Sequence, residues 1–420
     1  MTKPTLLIIG AGASGLLAAR ELTSFYEITI LEANDRIGGR IFSLSHESEI
    51  IEAGAEFVHG NLPITLTLLK EAGIKPVKIS GKMFRHEQEK FSAVTEMTDG
   101  WDDLLQKMEE VEKDMTMQEL LMKSFSSPRY EALRRQVVKY LAGFDLADVA
   151  RASVQGTLKE WQAEEQDNYR VRGGYQSLIN YFHEKLKAEG VRVNTNTAVQ
   201  KVRWEPGSVT LTTTTGAAFM ASKVLVTVPI SMLQFGKTSL QFEPKLPFET
   251  EIANDIGFGA VIKLVLKFKT PFWQTNAVFI LSDEVFPTWW TQLPSKNPLM
   301  TGWVGGPAAA ALSHLDDEEL VTKGLSSLAT LYNIDIAELH QQLEWAKVFN
   351  WQKTSYVNGG YSYAMIGTRA AQTSFSTPIE DTIFFAGEAL YNGGHPGTVE
   401  AAFFTALEAA QHFKKNRGEI

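Results

Sequence analysis

The run Gly10-Ala11-Gly12-Ala13-Ser14-Gly15 follows the apolar stretch Leu6-Leu7-Ile8-Ile9 and opens a segment of helical character. Glycines at this spacing between a strand and a helix suit a dinucleotide pyrophosphate. Gly10 permits the tight turn, Gly12 lets the backbone approach phosphate oxygens with no Cβ in the way, and Gly15 lets the helix pack close to the strand. The helix starting at Ala13 and Ser14 aims its free N–H groups and positive dipole end at the same anion. A second apolar run over residues 27–31 ends at Glu32, twenty positions after Gly12. A carboxylate there accepts hydrogen bonds from ribose hydroxyls and repels a 2′-phosphate, which disfavours NADP; Ala33 continues the same turn.

Arg36-Ile37-Gly38-Gly39-Arg40 sets two guanidinium groups around a diglycine just beyond that acid. The backbone there can bend close to a ligand while the arginines face its phosphates. In residues 260–268 the even positions Ile262, Leu264, Leu266 and Phe268 form one apolar face. Lys263 shares the other face with Val261 and Val265, and alternation alone reads it as a surface lysine. His59 stands among apolar residues in Phe57-Val58-His59-Gly60, a setting that suits packing as well as chemistry.

These groups need a scaffold, and 420 residues exceed the usual size of one core, so two or three domains are expected. Hydrophobic content of 44% and charged content of 21% are those of a soluble globular protein. A net charge of −9 argues against nucleic acid as a partner. The chain has no cysteine, which excludes disulfides, a thiol nucleophile, cysteine metal sites and a thioether to a cofactor. No metal-ligand constellation stands out. The first strand begins within a few residues of the start, no apolar run reaches membrane length, and residues 414–420 are polar. The expectation is a cytoplasmic protein without a membrane partner.

Residues 1–79 alternate strand and helix signals. Residues 101–122 and 128–146 read as helical, with Met115, Met117, Leu120, Leu121 and Met122 expected in the core. After Arg172-Gly173-Gly174-Tyr175 the pattern predicts a helix over 176–189 and a strand over 191–193. Strands are also expected over 199–204, 209–214 and 223–229, forming a small meander plus one further sheet strand. A long strand over 260–268, a helix over 316–332 and a final helix over 398–413 complete the reading.

Taken together, the motifs resemble the flavin-containing amine oxidases, the family of monoamine oxidases, polyamine oxidases and lysine-specific histone demethylases. The matching pieces are residues 10–15, Glu32, residues 36–40, residues 52–60, Arg172-Gly173-Gly174, Thr227-Val228-Pro229, Lys263, Trp351, residues 359–362, Ala386-Gly387-Glu388 and Thr398-Val399-Glu400. They stand in family order and cover nearly the whole chain. The resemblance implies an α/β fold in which a Rossmann-like FAD-binding domain (1–80, 172–232 and 376–420) is interleaved with an α+β substrate-binding domain (81–171 and 233–375, with 100–170 helical).

The resemblance also implies roles. Gly10, Gly12, Ala13, Ser14, Gly15, Glu32, Ala33, Arg36, Gly39 and Arg40 would bind FAD. Ala55 and Glu56 belong to the loop beside the isoalloxazine. The backbone of Val199 would meet adenine, Trp351 would bind the cofactor, and Gly387, Glu388, Thr398 and Val399 would hold the ribityl chain and pyrimidine edge. Lys263 matches the lysine that holds a water against flavin N5, and Tyr361 matches an aromatic wall that orients the amine. Thr398 stands where a second tyrosine is often found, and His59 and Glu56 match groups near the substrate entrance. Trp289, Trp290, Trp303, Tyr363 and His395 are candidate channel residues, although aromatic residues at these spacings are more often simple core. Gly360 replaces the flavin-linked cysteine of some members, so noncovalent FAD is expected.

The implied activity is oxidation of an amine C–N bond by hydride transfer to flavin N5, with oxygen as acceptor, giving an imine or aldehyde and hydrogen peroxide. The partners would be a small-molecule amine and oxygen, in a monomer or homodimer. Two alternatives stay open: an L-amino acid oxidase or protoporphyrinogen-oxidase or desaturase-like FAD dehydrogenase, and a low-turnover flavin-bound scaffold.

Overall fold

Successive residues of the first strand, Thr5–Ile9, point to opposite faces, and both faces are apolar, so the strand can be buried only in the middle of a covered sheet. The computed structural model places it there. It describes residues 3–415 except 48, 95, 166, 235–239 and 249, and residue 250 by its backbone alone. The polar segment expected over 414–420 lies outside the described residues from 416 onward.

The chain divides into two compact units, Met1–Val77 with Lys159–Phe258 and Ser355–Ile420, and Lys78–Leu158 with Gly259–Thr354. Segments 159–171, 233–258 and 355–375 pack with the glycine-fingerprint unit, whereas the resemblance places them in the substrate-binding domain of 81–171 and 233–375. Pairing and hydrogen bonds tie them there: Asn168–Val171 runs beside Phe57–His59, Gln241–Glu243 beside Val199–Glu205, and Gly360 O accepts from Arg40.

In the first unit five parallel strands stand in the order Arg192–Asn194, Glu27–Leu31, Thr5–Ile9, Lys223–Val226, Ile383–Phe385. Leu6, Ile8, Ile28, Ile30 and Leu225 join one core cluster with the helices Ala13–Leu22, Gln176–Ala188 and Val399–Lys415. Leu7, Ile9, Leu31, Val224 and Val226 join a second cluster with Val202, Val209 and Leu211. The last three belong to the expected strands Val199–Glu205 and Ser208–Thr213, which gain the unexpected Ala218–Ala221 as an antiparallel neighbour and Gln241–Glu243 as a parallel edge.

The second unit holds a seven-stranded sheet in the order Leu343–Asn350, Val261–Phe268, Leu299–Gly305, Thr288–Thr291, Ala277–Leu281, Lys82–Glu87, Lys90–Ala93. Ile262, Leu264, Leu266 and Phe268 pack against Leu320, Leu325, Leu328 and Leu331 of the helix Asp317–Tyr332. Asp316 begins that helix with a capping box to Glu319. The expected helical stretch 101–122 is two helices, Trp101–Glu109 and Met117–Ser124, the second started by a Thr116–Glu119 capping box. Met117, Leu120 and Leu121 are buried on one face, but Met122 lies outside the core at 66% exposed, because the next step of the helix turns it toward solvent. Among the described residues no helix is long and apolar enough to cross a membrane.

The terminal helix also serves another helix of its own unit through a remote contact. The helix Pro63–Glu71 has no side-chain cap from its own N-cap residue, Leu62. Its start is served by Glu400, which accepts from Ile64 N (2.9 Å), Thr65 N (2.7 Å) and Thr65 Oγ1 (2.6 Å). Glu400→Ala is expected to leave these donors unpaired and destabilise the protein by about 1–3 kcal/mol, read as a lower denaturation midpoint with unchanged slope.

Candidate active site

The three fingerprint glycines answer to different constraints. Gly10 has φ of +108°, and a Cβ there would lie 2.8 Å from Thr227 Oγ1. A Cβ at Gly15 would collide with the carbonyl oxygen of Gly10. Gly12 is different: φ −83° and ψ −173° suit any residue, and a Cβ would meet nothing closer than Gly38 O at 4.0 Å. Neither backbone strain nor protein packing requires glycine at position 12. A side chain there would fill an open cradle at the start of the helix Ala13–Leu22, whose N-cap has no side-chain hydrogen bond.

Glu32 is buried at the end of the second strand. Its Oε2 accepts from Ala11 N (2.8 Å) and its Oε1 from Asn34 N (2.9 Å), so it ties the glycine turn to the following loop. Ala33 lies between these anchors. Ser14 gives its hydroxyl to Ala402 O (2.8 Å), joining the fingerprint helix to the terminal helix. Arg36 donates to the carbonyls of Ile37, Gly39 and Ile41 and lies over the Phe42 ring at 3.8 Å. Burial lowers its pKa, with Glu32 and Asp35 opposing the shift. Its donors are committed largely to shaping its own loop.

Arg40 reaches further. Its Nη1 donates to Glu388 Oε1 (2.6 Å) and to Gly360 O (3.0 Å), while its own carbonyl accepts from Ala55 N (3.1 Å). Glu388 Oε2 accepts from Ser362 Oγ (2.6 Å). Gly387 precedes it at φ +155°, a backbone state that favours glycine. Thr398 donates to His395 O (2.7 Å) and accepts from Ala401 N (3.1 Å), which caps the helix that begins at Val399. Its hydroxyl is therefore occupied. Gly397 (φ +67°) lies against the Tyr361 ring, where a Cβ would be 2.7 Å from Cδ2. Val199 is half-buried at the start of its strand, opposite Thr213.

Just before the Phe57–His59 strand, Glu56 pairs closely with Arg170, whose guanidinium lies 4.9 Å over Phe57. His59 Nδ1 contacts Asn168 Oδ1 at 2.6 Å, directly across the ladder. Burial lowers the His59 pKa; the Asn168 bond opposes this and the charge of His395 adds to it. The ring is thus neutral near pH 7 and donates from Nδ1.

In the second unit Lys263 is 1% exposed, with Nζ 5.3 Å from the Trp290 ring centroid and with Trp303 and Phe349 opposite it on the neighbouring strands. The surface reading from alternation fails because both sheet faces are covered. Trp289 lies in the core on the other face. Trp351 is buried in a short 3-10 turn after the Leu343–Asn350 strand.

The profile of the flavin containing amine oxidoreductase family matches residues 13–412. The chain belongs to this family. It is an FAD-dependent oxidoreductase acting on amines. It is 26% identical to Polyamine oxidase 4 of Oryza sativa subsp. japonica, over 98% of this chain and 89% of that one. It is 28% identical to Lysine-specific histone demethylase 2 of Homo sapiens, over 97% of this chain but 53% of that one. Putrescine oxidase bound to putrescine shares the fold with a TM-score of 0.81 at 19% identity, covering 97% of this chain and 98% of the other. Cyclohexylamine oxidase from Brevibacterium oxydans does so at 0.80 and 17%, covering 99% and 100%.

The family member's first unit fits FAD on its own geometry. The cradle at Gly12 suits the pyrophosphate, and a carboxylate has acceptor capacity beyond the bonds Glu32 makes, leaving room for ribose hydroxyls. Two residues escaped the sequence reading, Asn168 and Arg170, and Ser362 was matched within 359–362 without a role. The first two sit at alternate positions of one strand, a weak signal that only pairing with Phe57–His59 resolves.

Gly12→Ala is expected to change apoprotein stability by about 1 kcal/mol or less while weakening FAD binding at least roughly tenfold. Thermal unfolding of the apoprotein and FAD titration separate the two effects. Because the folded pKa of His59 lies below the unfolded one, its contribution to stability is present above about pH 6.5 and lost as pH falls toward the folded value. His59→Gln is expected to flatten the fall in unfolding midpoint between about pH 7.5 and about pH 5.5.

Proposed function

We propose that the protein oxidises an aliphatic amine of the polyamine or diamine class at a C–N bond, with noncovalent FAD and with oxygen as the final acceptor. The amine loses two electrons and two protons to become an imine, which hydrolyses to a carbonyl compound, and oxygen takes up the electrons as hydrogen peroxide. Bound FAD supplies the two-electron acceptor that receives the hydride from the amine α-carbon. The amine class is supported by relatives named as polyamine oxidases and by the shared fold with a putrescine oxidase.

The observation that carries the oxygen half of the reading is the burial of Lys263, a cation enclosed among aromatic residues where a surface lysine would be solvated. In this reading Lys263 serves the reaction with oxygen, and Tyr361 and Thr398 flank the amine. His59 meets the amine through Nε2, as a neutral imidazole held from the other side by Asn168. Glu56, neutralised by Arg170, shapes the loop instead of capturing cations. The fingerprint unit would hold FAD through Gly10, Gly12, Ala13, Ser14, Gly15, Glu32, Ala33, Gly39, Arg40, Ala55, Val199, Gly387, Glu388 and Val399. Arg36 would act through its loop, and Trp351 is read as a flavin-binding residue by the family resemblance.

Anaerobic mixing with polyamines, diamines, monoamines and L-amino acids tests this. Bleaching of oxidised-flavin absorbance by the first two classes, with colour restored by air, is expected. Bleaching only by L-amino acids, or by none, would overturn it. Lys263→Met is expected to slow reoxidation by at least about tenfold while flavin reduction changes little; equal effects on both half-reactions would remove the assigned role.

A further inference from the structure

Tyr361 is bracketed by one ion pair. The peptide group before it offers its carbonyl, Gly360 O, to Arg40 Nη1 at 3.0 Å. The peptide group after it offers Ser362 N to Glu388 Oε2 at 3.4 Å, and Ser362 Oγ donates to the same oxygen at 2.6 Å. Arg40 and Glu388 are themselves joined at 2.6 Å. The two peptide planes that define φ and ψ of Tyr361 are therefore anchored to the two ends of a single salt bridge. The ring is seated as well, because glycine at 397 leaves the space that Cδ2 needs.

We propose that Ser362 is a positioning residue for amine oxidation, acting with the Arg40–Glu388 pair to hold Tyr361 in its working orientation. This rests on the reading that Tyr361 flanks the amine. The hydroxyl is the short link: Ser362 is 6% exposed, and without Oγ the only remaining tie from that residue to Glu388 is the long N–H contact. Serine also begins the Ser362–Ala364 strand opposite Phe258, so a loose Ser362 frees the start of the strand together with Tyr361. Orientation at a reacting centre acts on the rate more than on the affinity, which gives the positioning role its signature.

The test uses the full chain with 3-fluorotyrosine at position 361. The wild type is expected to give one fluorine resonance with a fixed shift. Ser362→Ala is expected to move or split it, and Ser362→Thr, which keeps the hydroxyl, to restore it. Spectra are taken with FAD bound and again on apoprotein, so altered loading does not decide the result. In stopped-flow reduction, Ser362→Ala is expected to lower the limiting rate by roughly tenfold with less than about a twofold change in amine affinity. In a Tyr361→Leu background the same substitution is expected to add less than about a further twofold. A fluorine spectrum unmoved by Ser362→Ala, or an equal rate loss in both backgrounds, would overturn the proposal. Absence of flavin reduction by any amine would instead overturn the proposed function, and the fluorine spectra would still decide the positioning.

Discussion

A carboxylate that is 5% exposed must be paired and hydrogen-bonded, since leaving it bare in the interior costs about several kcal/mol, and Glu388 meets that demand through Arg40 and Ser362. The ion pair joins positions 348 residues apart. It brings three segments to one place: the loop beyond Glu32, the strand that follows Tyr361, and the turn after Ile383–Phe385. The parallel sheet delivers the first and third of these to the carboxyl-terminal ends of its strands, because Glu27–Leu31 and Ile383–Phe385 run in the same direction with Thr5–Ile9 and Lys223–Val226 between them. Ser14 on Ala402, Glu400 on Thr65 and Lys414 on Glu21 do similar work for the terminal helix, tying it to two other helices of the same unit.

Around this frame many polar side chains are committed to other protein groups. Arg36 holds its own loop, Thr398 caps a helix, and Glu56 is neutralised by Arg170. Neutral His59 faces Asn168. Such an arrangement suits chemistry carried by a cofactor, in which the protein orients the reactants, excludes water and tunes charge, with no acid or base of its own doing the bond breaking. Gly12 shows the same division of labour in the backbone. Its conformation and its protein neighbours tolerate a side chain, so the fold itself does not require glycine there.

The sequence by itself determined the strand-turn-helix at residues 5–22, the acid at Glu32, the meander near 199–213, the helices beginning at Gln176 and Asp317, and the family. These are local matters: alternation of period two, caps such as Asp316 with Glu319, and glycines whose φ or close packing only glycine meets. Tertiary structure decided the burial of Lys263, the exposure of Met122, the grouping of segments 159–171, 233–258 and 355–375 with the fingerprint unit, and the partners of His59, Glu56 and Glu388. Alternation says which residues share a sheet face but not whether that face is covered. Hydrogen-bond partners more than a hundred positions apart leave no periodic trace, because they depend on which strands pair and in which register.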